Sequence, residues 1–339
     1  MTSAETPGPP RTGAGTVPRR VVMQAYGDPA VLTVRDTDLP QVSAGDVLVR
    51  VAAAGVNVVD LYQRSGVYPV SLPFTPGFEG SGTVVAVGAG ATGVAVGDRV
   101  AWMGQPGSYA THCLLPAARL VPVPDGLSLT DAVAALVHGM TAHLLTTDVY
   151  APSEGAVCLV HSAAGGVGGM LCQFAARRGA TVIGTVSRDD KASAALEAGA
   201  HHVINYSRTS FPAQVRELTA GRGVDVVYDA VGRDTFTDGL ACLRPGGTFV
   251  LYGQVSGAVD PVDPQLLNSY GSLFLTKVSL SHYDRTPEQT RRRAAAVFDD
   301  VVAGRLRVRV HATFPLDAAA AAHDELASRR TRGKILLLP

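Results

Sequence analysis

The sequence has no net charge, no long apolar run and few cysteines, and each of these absences excludes a class of protein. Its 29 lysines and arginines balance 29 aspartates and glutamates, so we expect no domain-scale basic surface for nucleic acid or an anionic membrane. No stretch of about 18 uninterrupted apolar residues occurs, which argues against a transmembrane helix. We therefore expect neither a nucleic acid nor a membrane as a partner.

The cysteines and the N-terminal composition bear on the compartment. Cys113, Cys158, Cys172 and Cys242 are far apart and form no C-x-x-C pair. Three of them lie in apolar runs, where buried free thiols are expected, and this favours a reducing, cytoplasmic environment. The first 18 residues are rich in Pro, Gly, Thr and Ala and lack the apolar stretch of a signal peptide. We expect residues 1–19 to form a disordered extension.

The length of 339 residues favours two domains. Two different sequence patterns divide the chain. Over residues 21–123, short β-rich runs are interrupted by Gly and Pro, which predicts a barrel-like β domain. Over residues 156–251, apolar strands alternate with helices, the α/β pattern of a doubly wound parallel sheet. A helix over 130–146 joins the two. The final strand, over 334–338, needs a sheet to join, and the β domain is the candidate.

A glycine-rich turn follows the first strand of the alternating half. Residues 158–170 read CLVHSAAGGVGGM, and Gly165 and Gly168 take the second and third positions of a G-x-G-x-x-G frame in which Ala163 replaces the first glycine. Such a turn lets backbone amides and a helix N-terminus approach a pyrophosphate. A lone glycine motif is weak evidence, but here a strand precedes it and a helix follows. The turn therefore predicts dinucleotide binding rather than a merely structural role.

The end of the next strand indicates which dinucleotide binds. An NAD site usually carries an acidic residue there that bonds the ribose 2′-hydroxyl, and no carboxylate stands at the tip of strand 181–185. Ser187, Arg188 and Lys191 can instead hold a 2′-phosphate. The two aspartates before Lys191 are interpreted as residues at a helix N-terminus. Because the chain has only three lysines, a lysine at this position favours NADPH over NADH.

Short segments throughout the chain add to this pattern. They are GVNVVD at 55–60, YQRSGVYP at 62–69, GDRV at 97–100, GMT at 139–141, HSAAGGVG at 161–168, VINY at 203–206, VYDAVGRD at 227–234 and TRGKI at 331–335. Together they make residues 21–339 resemble the zinc-free, zeta-crystallin-like quinone oxidoreductases of the medium-chain dehydrogenase/reductase superfamily. The resemblance implies a GroES-like β-barrel catalytic domain (20–137 and 281–339), a Rossmann NADPH-binding domain (138–280) and a homodimer.

The resemblance also implies a set of cofactor contacts. Lys191 and Tyr206 would flank the 2′-phosphate, in agreement with the argument from charge. With the residues of the turn and of the strand end, the expected cofactor-binding positions are Asn57, Thr141, Ala164, Gly165, Gly166, Val167, Ser187, Arg188, Lys191, Tyr206, Gly253, Gln254, Val278, Leu280 and Arg329.

We expect no metal in this site. Zinc-dependent relatives place a cysteine near Asn57 and a Gly-His-Glu motif where this chain has Gly77-Phe78-Glu79, and the four-cysteine zinc lobe is absent as well. The histidines between positions 112 and 161 show no ligand spacing. Without a Lewis acid, alcohol dehydrogenation is less favoured than hydride transfer to a conjugated carbonyl, over which the incoming charge spreads.

Three residues are candidates for catalysis: Asn57, Tyr62 and Tyr68. Asn57 could hydrogen-bond a ribose hydroxyl or a substrate oxygen, and either tyrosine could donate to a developing oxyanion. The alternative for the tyrosines is half-buried packing with a satisfied hydroxyl. Asp60 and Glu79 are expected to be structural.

Three functions stay open at this point. The first is an NADPH:quinone reductase. The second is the same class of enzyme acting on an α,β-unsaturated ketone, aldehyde or polyketide intermediate. The third is a non-enzymatic NADPH- or RNA-binding protein, and the neutral charge counts against RNA.

Overall fold

The structure is a computed structural model that describes residues 17–339. Positions 1–16 of the extension predicted over 1–19 lie outside these residues, and the first strand begins at Arg19. The strands of the described part are β1 (Arg19–Met23), β2 (Leu32–Asp36), β3 (Asp46–Val56), β4 (Glu79–Val87), β5 (Arg99–Met103), β6 (His112–Pro116), β7 (Val121–Pro122), β8 (Val157–Val160), β9 (Thr181–Val186), β10 (His202–Asn205), β11 (Val224–Asp229), β12 (Leu243–Leu251), β13 (Phe274–Lys277), β14 (Val310–Pro315) and β15 (Lys334–Leu338). The α-helices are α1 (Val58–Ser65), α2 (Leu129–Leu144), α3 (Gly166–Arg177), α4 (Ala192–Glu197), α5 (Phe211–Leu218), α6 (Arg233–Cys242), α7 (Pro264–Ser269), α8 (Leu280–Tyr283), α9 (Pro287–Val302) and α10 (Ala319–Ala327). None of these helices has the length and apolarity needed to cross a membrane.

Six strands of the second half form one parallel sheet in the order β10-β9-β8-β11-β12-β13. Every residue of β11 is buried, because separate apolar cores cover the two faces of the sheet. The chain progresses from β8 to β10 in one direction and from β11 to β13 in the other. The sheet therefore has a topological switch point between β8 and β11, where ligands bind beyond the carboxyl ends of the strands.

The other large sheet contains strands from both ends of the chain, in the order β14-β15-β3-β4-β5-β7, with β6 paired to β3. Strand β15 pairs antiparallel with β3, and Ile335 lies opposite Val56. This confirms that the C-terminal strand joins the N-terminal β domain, where Ile335, Leu336 and Leu337 become buried. The predicted α/β class, a GroES-like β domain beside a doubly wound sheet, is confirmed. The domain boundaries at 137/138 and 280/281 stay predictions, and helix α2 runs through the first of them.

Helix α2 lies between the two sheets. It contacts α3 and α9 on one side and β3, β4 and β5 on the other, as its mostly apolar sequence predicts for a buried helix. Ser128 caps its N-terminus by accepting a hydrogen bond from the Asp131 amide. The packing on both sides holds residues 137–141 in the space between the sheets.

The elements of the second half that were not predicted individually from the sequence include helix α6 and strand β13. Helix α6 carries threonines, aspartates and a glycine, so it lacks a clear amphipathic repeat. Strand β13 is an edge strand with no buried residue, so it lacks the apolar run of a central strand.

Candidate functional site

A cleft of about 810 Å³ opens between the two sheets, a volume within the range of small-molecule sites. The parallel sheet contributes residues that follow the carboxyl ends of its six strands: Ser162 after β8, Ser187 after β9, Tyr206 after β10, Ala230 after β11, Gly253 after β12 and Val278 after β13. The β domain contributes the facing wall, with Asn57, Tyr62, Tyr68, Phe78 and Met103. The cleft therefore lies at the switch point that the sheet order defines.

All but one of the predicted site residues line this cleft. Those that do are Asn57, Tyr62, Tyr68, Thr141, Ala164, Gly165, Gly166, Val167, Ser187, Lys191, Tyr206, Gly253, Gln254, Val278, Leu280 and Arg329. Arg188 does not line it: its Nε lies 3.1 Å from Oδ1 of Asp190, and the side chain is 57% exposed. A carboxylate two residues further along the chain is thus the partner of this guanidinium.

The turn between β8 and α3 leaves no room for side chains on two of its glycines. A Cβ on Gly166 would lie 2.1 Å from the ring of His138, and one on Gly168 would lie 2.2 Å from the carbonyl oxygen of Ser162. The N-cap, Gly165, has no side chain to accept the first amides of α3. The turn therefore directs free amides and the positive end of the helix at the cleft. Ser162 has a φ of 55°, an uncommon conformation that non-glycine residues adopt mostly at constrained sites.

Two cations stand at one end of the cleft. Lys191 donates to the carbonyl oxygen of Arg329, and the guanidinium of Arg329 donates to the carbonyl oxygen of Val255 at 2.9 Å. Neither forms an ion pair with a carboxylate within residues 17–339. Burial, which disfavours the charged form, lowers the pKa of Lys191. This end of the cleft therefore suits an anionic group.

Tyr62 and Tyr68 contact each other edge to face, with ring centroids 5.1 Å apart. The Tyr62 hydroxyl donates to the carbonyl oxygen of Gln254 at 3.0 Å, across the cleft, and burial raises its pKa. Tyr68 is 44% exposed, and its hydroxyl has no hydrogen-bond partner in the described residues. Of the two phenols, Tyr68 is the one whose proton is free for a ligand.

Asn57 is held by a buried polar network. Its Nδ2 donates to Oε1 of Glu79 at 2.9 Å and to the carbonyl oxygen of Gly55 at 3.3 Å, while its Oδ1 accepts from Nζ of Lys334 at 2.7 Å. Lys334 also pairs with Glu79, and the two side chains are 1% and 0% exposed. Because both amide hydrogens are engaged, Asn57 can offer a ligand only the remaining lone pair of Oδ1. It can accept from a hydroxyl group but cannot donate to a substrate oxygen.

Asp60 supports this loop from outside the cleft. Its carboxylate accepts from the amide of Asn57 at 2.8 Å and from the amide of Phe78 at 3.1 Å. Complete burial raises its pKa to about 7, against the lowering effect of these amides and of Lys334. Its contacts are those of a structural residue.

The side chains at the site that were not assigned from the sequence include His138, Lys277 and Lys334. The first two line the cleft, and Nζ of Lys277 donates to the carbonyl oxygen of Gly253 at 3.2 Å. With Lys191, all three lysines of the chain lie at the cleft or directly beneath it. The scarcity of lysine was thus a usable signal, whereas no sequence pattern marks His138.

No group of three or more His, Cys, Asp or Glu side chains between residues 17 and 339 is arranged to hold a metal ion. At the position where zinc-dependent relatives have a histidine, Phe78 turns toward the cleft.

The architecture is that of two-domain dehydrogenases and reductases. A barrel-like β domain lies beside a doubly wound sheet, and the cleft between them contains the glycine-rich turn. Two family models match the chain. The model described as the alcohol dehydrogenase GroES-like domain matches residues 43–125, and the one described as zinc-binding dehydrogenase matches residues 166–297.

Individual proteins match almost the whole chain. The quinone oxidoreductase of Pseudomonas aeruginosa is 41% identical and covers 95% of this chain and 99% of its own. A 2-haloacrylate reductase from Burkholderia is also 41% identical, over 94% of this chain and 98% of its own. The crystal structure of Escherichia coli quinone oxidoreductase complexed with NADPH superimposes with a TM-score of 0.92 at 37% identity, over 95% of this chain and 100% of that one. The chain therefore belongs to the quinone oxidoreductase family of the medium-chain dehydrogenase/reductase superfamily, which confirms the resemblance.

Proposed function

We propose that this protein is an NADPH-dependent reductase that transfers hydride to a quinone without a metal. The observation that carries the proposal is one cleft that combines a phosphate-binding turn with Lys191, a cation that pairs with no carboxylate in residues 17–339. The relatives named quinone oxidoreductase and the related structure complexed with NADPH support it.

The cleft residues fit a phosphorylated dinucleotide. The turn carries no side chain at Gly166 or Gly168, because a Cβ at either position would collide with neighbouring atoms. Its backbone can therefore approach a pyrophosphate closely. Lys191, beside Ser187 and Tyr206, suits the 2′-phosphate. The segments after β12 and β13 would hold the nicotinamide through Gly253, Gln254, Val278 and Leu280. When bound, NADPH supplies the hydride.

The residues of the β domain would orient the substrate and supply a proton. Asn57 accepts from a ribose hydroxyl, since both of its amide hydrogens are engaged. Tyr68 donates to the oxygen on which negative charge develops, while Tyr62 holds the Gln254 loop by its hydrogen bond. Phe78 and Met103 give this wall an apolar surface, which excludes water and matches a conjugated ring.

A panel of acceptors tests the reaction. We expect benzoquinones and naphthoquinones to accelerate the oxidation of NADPH, measured as loss of nicotinamide absorbance. The 2-haloacrylate reductase among the relatives favours activated alkenes as a second substrate class, so enones and a 2-haloacrylate belong in the same panel. Faster turnover of the alkenes would mean that the substrate is an α,β-unsaturated carbonyl compound and not a quinone. If no acceptor accelerates the oxidation of NADPH, both substrate classes are contradicted.

Replacing Lys191 by alanine tests the choice of cofactor. We expect the Kd for NADPH to rise at least tenfold and the Kd for NADH to change less than threefold, because only NADPH carries the 2′-phosphate. Arg188→Ala is the matched control: this cation is three residues away but is paired with Asp190 outside the cleft. Equal losses for the two nucleotides in Lys191→Ala would contradict the phosphate assignment.

We also propose the domain boundaries and the homodimer that the family resemblance implies. In support of a dimer, β13 forms one edge of the parallel sheet, and Phe274 at its start is 66% exposed. An apolar side chain on an open edge strand suits pairing with a second copy.

A further inference from the structure

His138 is a polar cleft residue that the proposed function leaves without a role. It lies on the buried helix α2, three residues before Thr141, and lines the cleft. Its ring packs against the glycine turn: a Cβ on Gly166 would fall 2.1 Å from both Cε1 and Nδ1. The imidazole therefore lies against the first residue of α3, where the turn directs its free amides.

Neither nitrogen of this ring has a hydrogen-bond partner in the described part of the chain. Nδ1 is buried without one, so Nε2 is the nitrogen that remains accessible from the cleft. Burial, assisted by the positive charge of Lys334, lowers the pKa of His138 well below its usual range. The ring is therefore neutral at pH 7, with one N–H and one lone pair.

The two tautomers differ in what they leave buried. With the proton on Nδ1, a hydrogen-bond donor would be enclosed against Gly166 with no acceptor. With the proton on Nε2, the donor faces the cleft and only a lone pair is enclosed. Because buried donors without partners are the rarer and more costly case, the second tautomer presents an N–H to whatever lies over the turn.

We infer that His138 is a further dinucleotide-binding residue, whose Nε2–H donates to an acceptor oxygen of the pyrophosphate–ribose bridge above Gly166. This inference rests on the proposed binding of NADPH. A neutral donor suits this position because it adds a directed hydrogen bond to the free amides of the turn. This role differs from that of Lys191, which would meet the 2′-phosphate on the adenosine ribose.

The test is the affinity of the free protein for nucleotide fragments, measured by titration calorimetry. His138→Phe keeps a ring against Gly166 and removes the N–H. We expect it to raise the Kd for NADPH, NADH and 2′-phospho-ADP-ribose by about tenfold each, the usual effect of losing a hydrogen bond to a charged group. The Kd for 2′,5′-ADP, which lacks the bridge, should change less than twofold.

Two further variants complete the design. His138→Gln restores an N–H donor and should recover most of the affinity, whereas a structural role for the ring predicts no recovery. His138→Ala replaces the phenylalanine variant if thermal unfolding shows that the latter is not folded. Unchanged binding of NADPH and 2′-phospho-ADP-ribose in a folded variant without the N–H would overturn the inference. Failure of the unmodified protein to bind NADPH would instead overturn the proposed function.

Discussion

Gly168→Ala will reduce dinucleotide affinity at least a hundredfold. The new Cβ would lie 2.2 Å from the carbonyl oxygen of Ser162 and 3.1 Å from Cα of Ala163. Both are backbone atoms, so no side-chain rotation can relieve the collision, and α3 must move away from β8. Such overpacking costs about 1–3 kcal/mol in stability, and it displaces the amides that face the cleft. Equilibrium binding of NADPH, followed by its fluorescence, measures the loss.

Gly169→Ala is the matched control, one residue further along the same helix. Its Cβ would lie 3.5 Å from the nearest atom, the carbonyl oxygen of Ala163, which is ordinary contact. Because alanine is favoured over glycine in a helix by about 1 kcal/mol, this variant should bind NADPH normally and unfold at the same or a slightly higher temperature. If Gly168→Ala binds NADPH with near-normal affinity, the requirement for a residue without a side chain at position 168 is contradicted.

Lys334→Met will destabilise the fold by about 3–5 kcal/mol, the usual effect of leaving one partner of a buried ion pair alone. Lys334 and Glu79 are almost completely buried, and the lysine also donates to Oδ1 of Asn57. The variant would leave a carboxylate enclosed between β4 and β15 without its counter-charge. Urea-induced unfolding, followed by circular dichroism, measures the loss.

Two variants define what that result means. Glu79→Gln combined with Lys334→Met removes both charges and should recover much of the lost stability. Lys277→Met removes an exposed lysine whose ammonium donates to the carbonyl oxygen of Gly253, so it should cost less than about 1 kcal/mol. An equally small loss in Lys334→Met would contradict the importance of the buried pair.

The glycine turn could be predicted from the sequence because its determinants are local. A strand, a glycine-rich turn with Gly165 and Gly168 at the frame positions, and a helix lie within residues 157–177, and steric exclusion acts between near neighbours in the chain. The choice of NADPH likewise depended on a short segment after β9. The exception was Arg188, whose guanidinium pairs with Asp190, because competition between nearby partners is decided by side-chain geometry.

The buried pair and His138 depended on the tertiary structure. Lys334 is 255 residues from Glu79 along the chain, and they meet because β15 inserts beside β3. His138 meets Gly166 because α2 packs between the two sheets. Sequence thus determined the strand–turn–helix unit, the class of fold and the family, all of which follow from local periodicity and motif spacing. Only the folded chain decided which distant polar groups share an enclosed space, because that depends on how the sheets pack around α2.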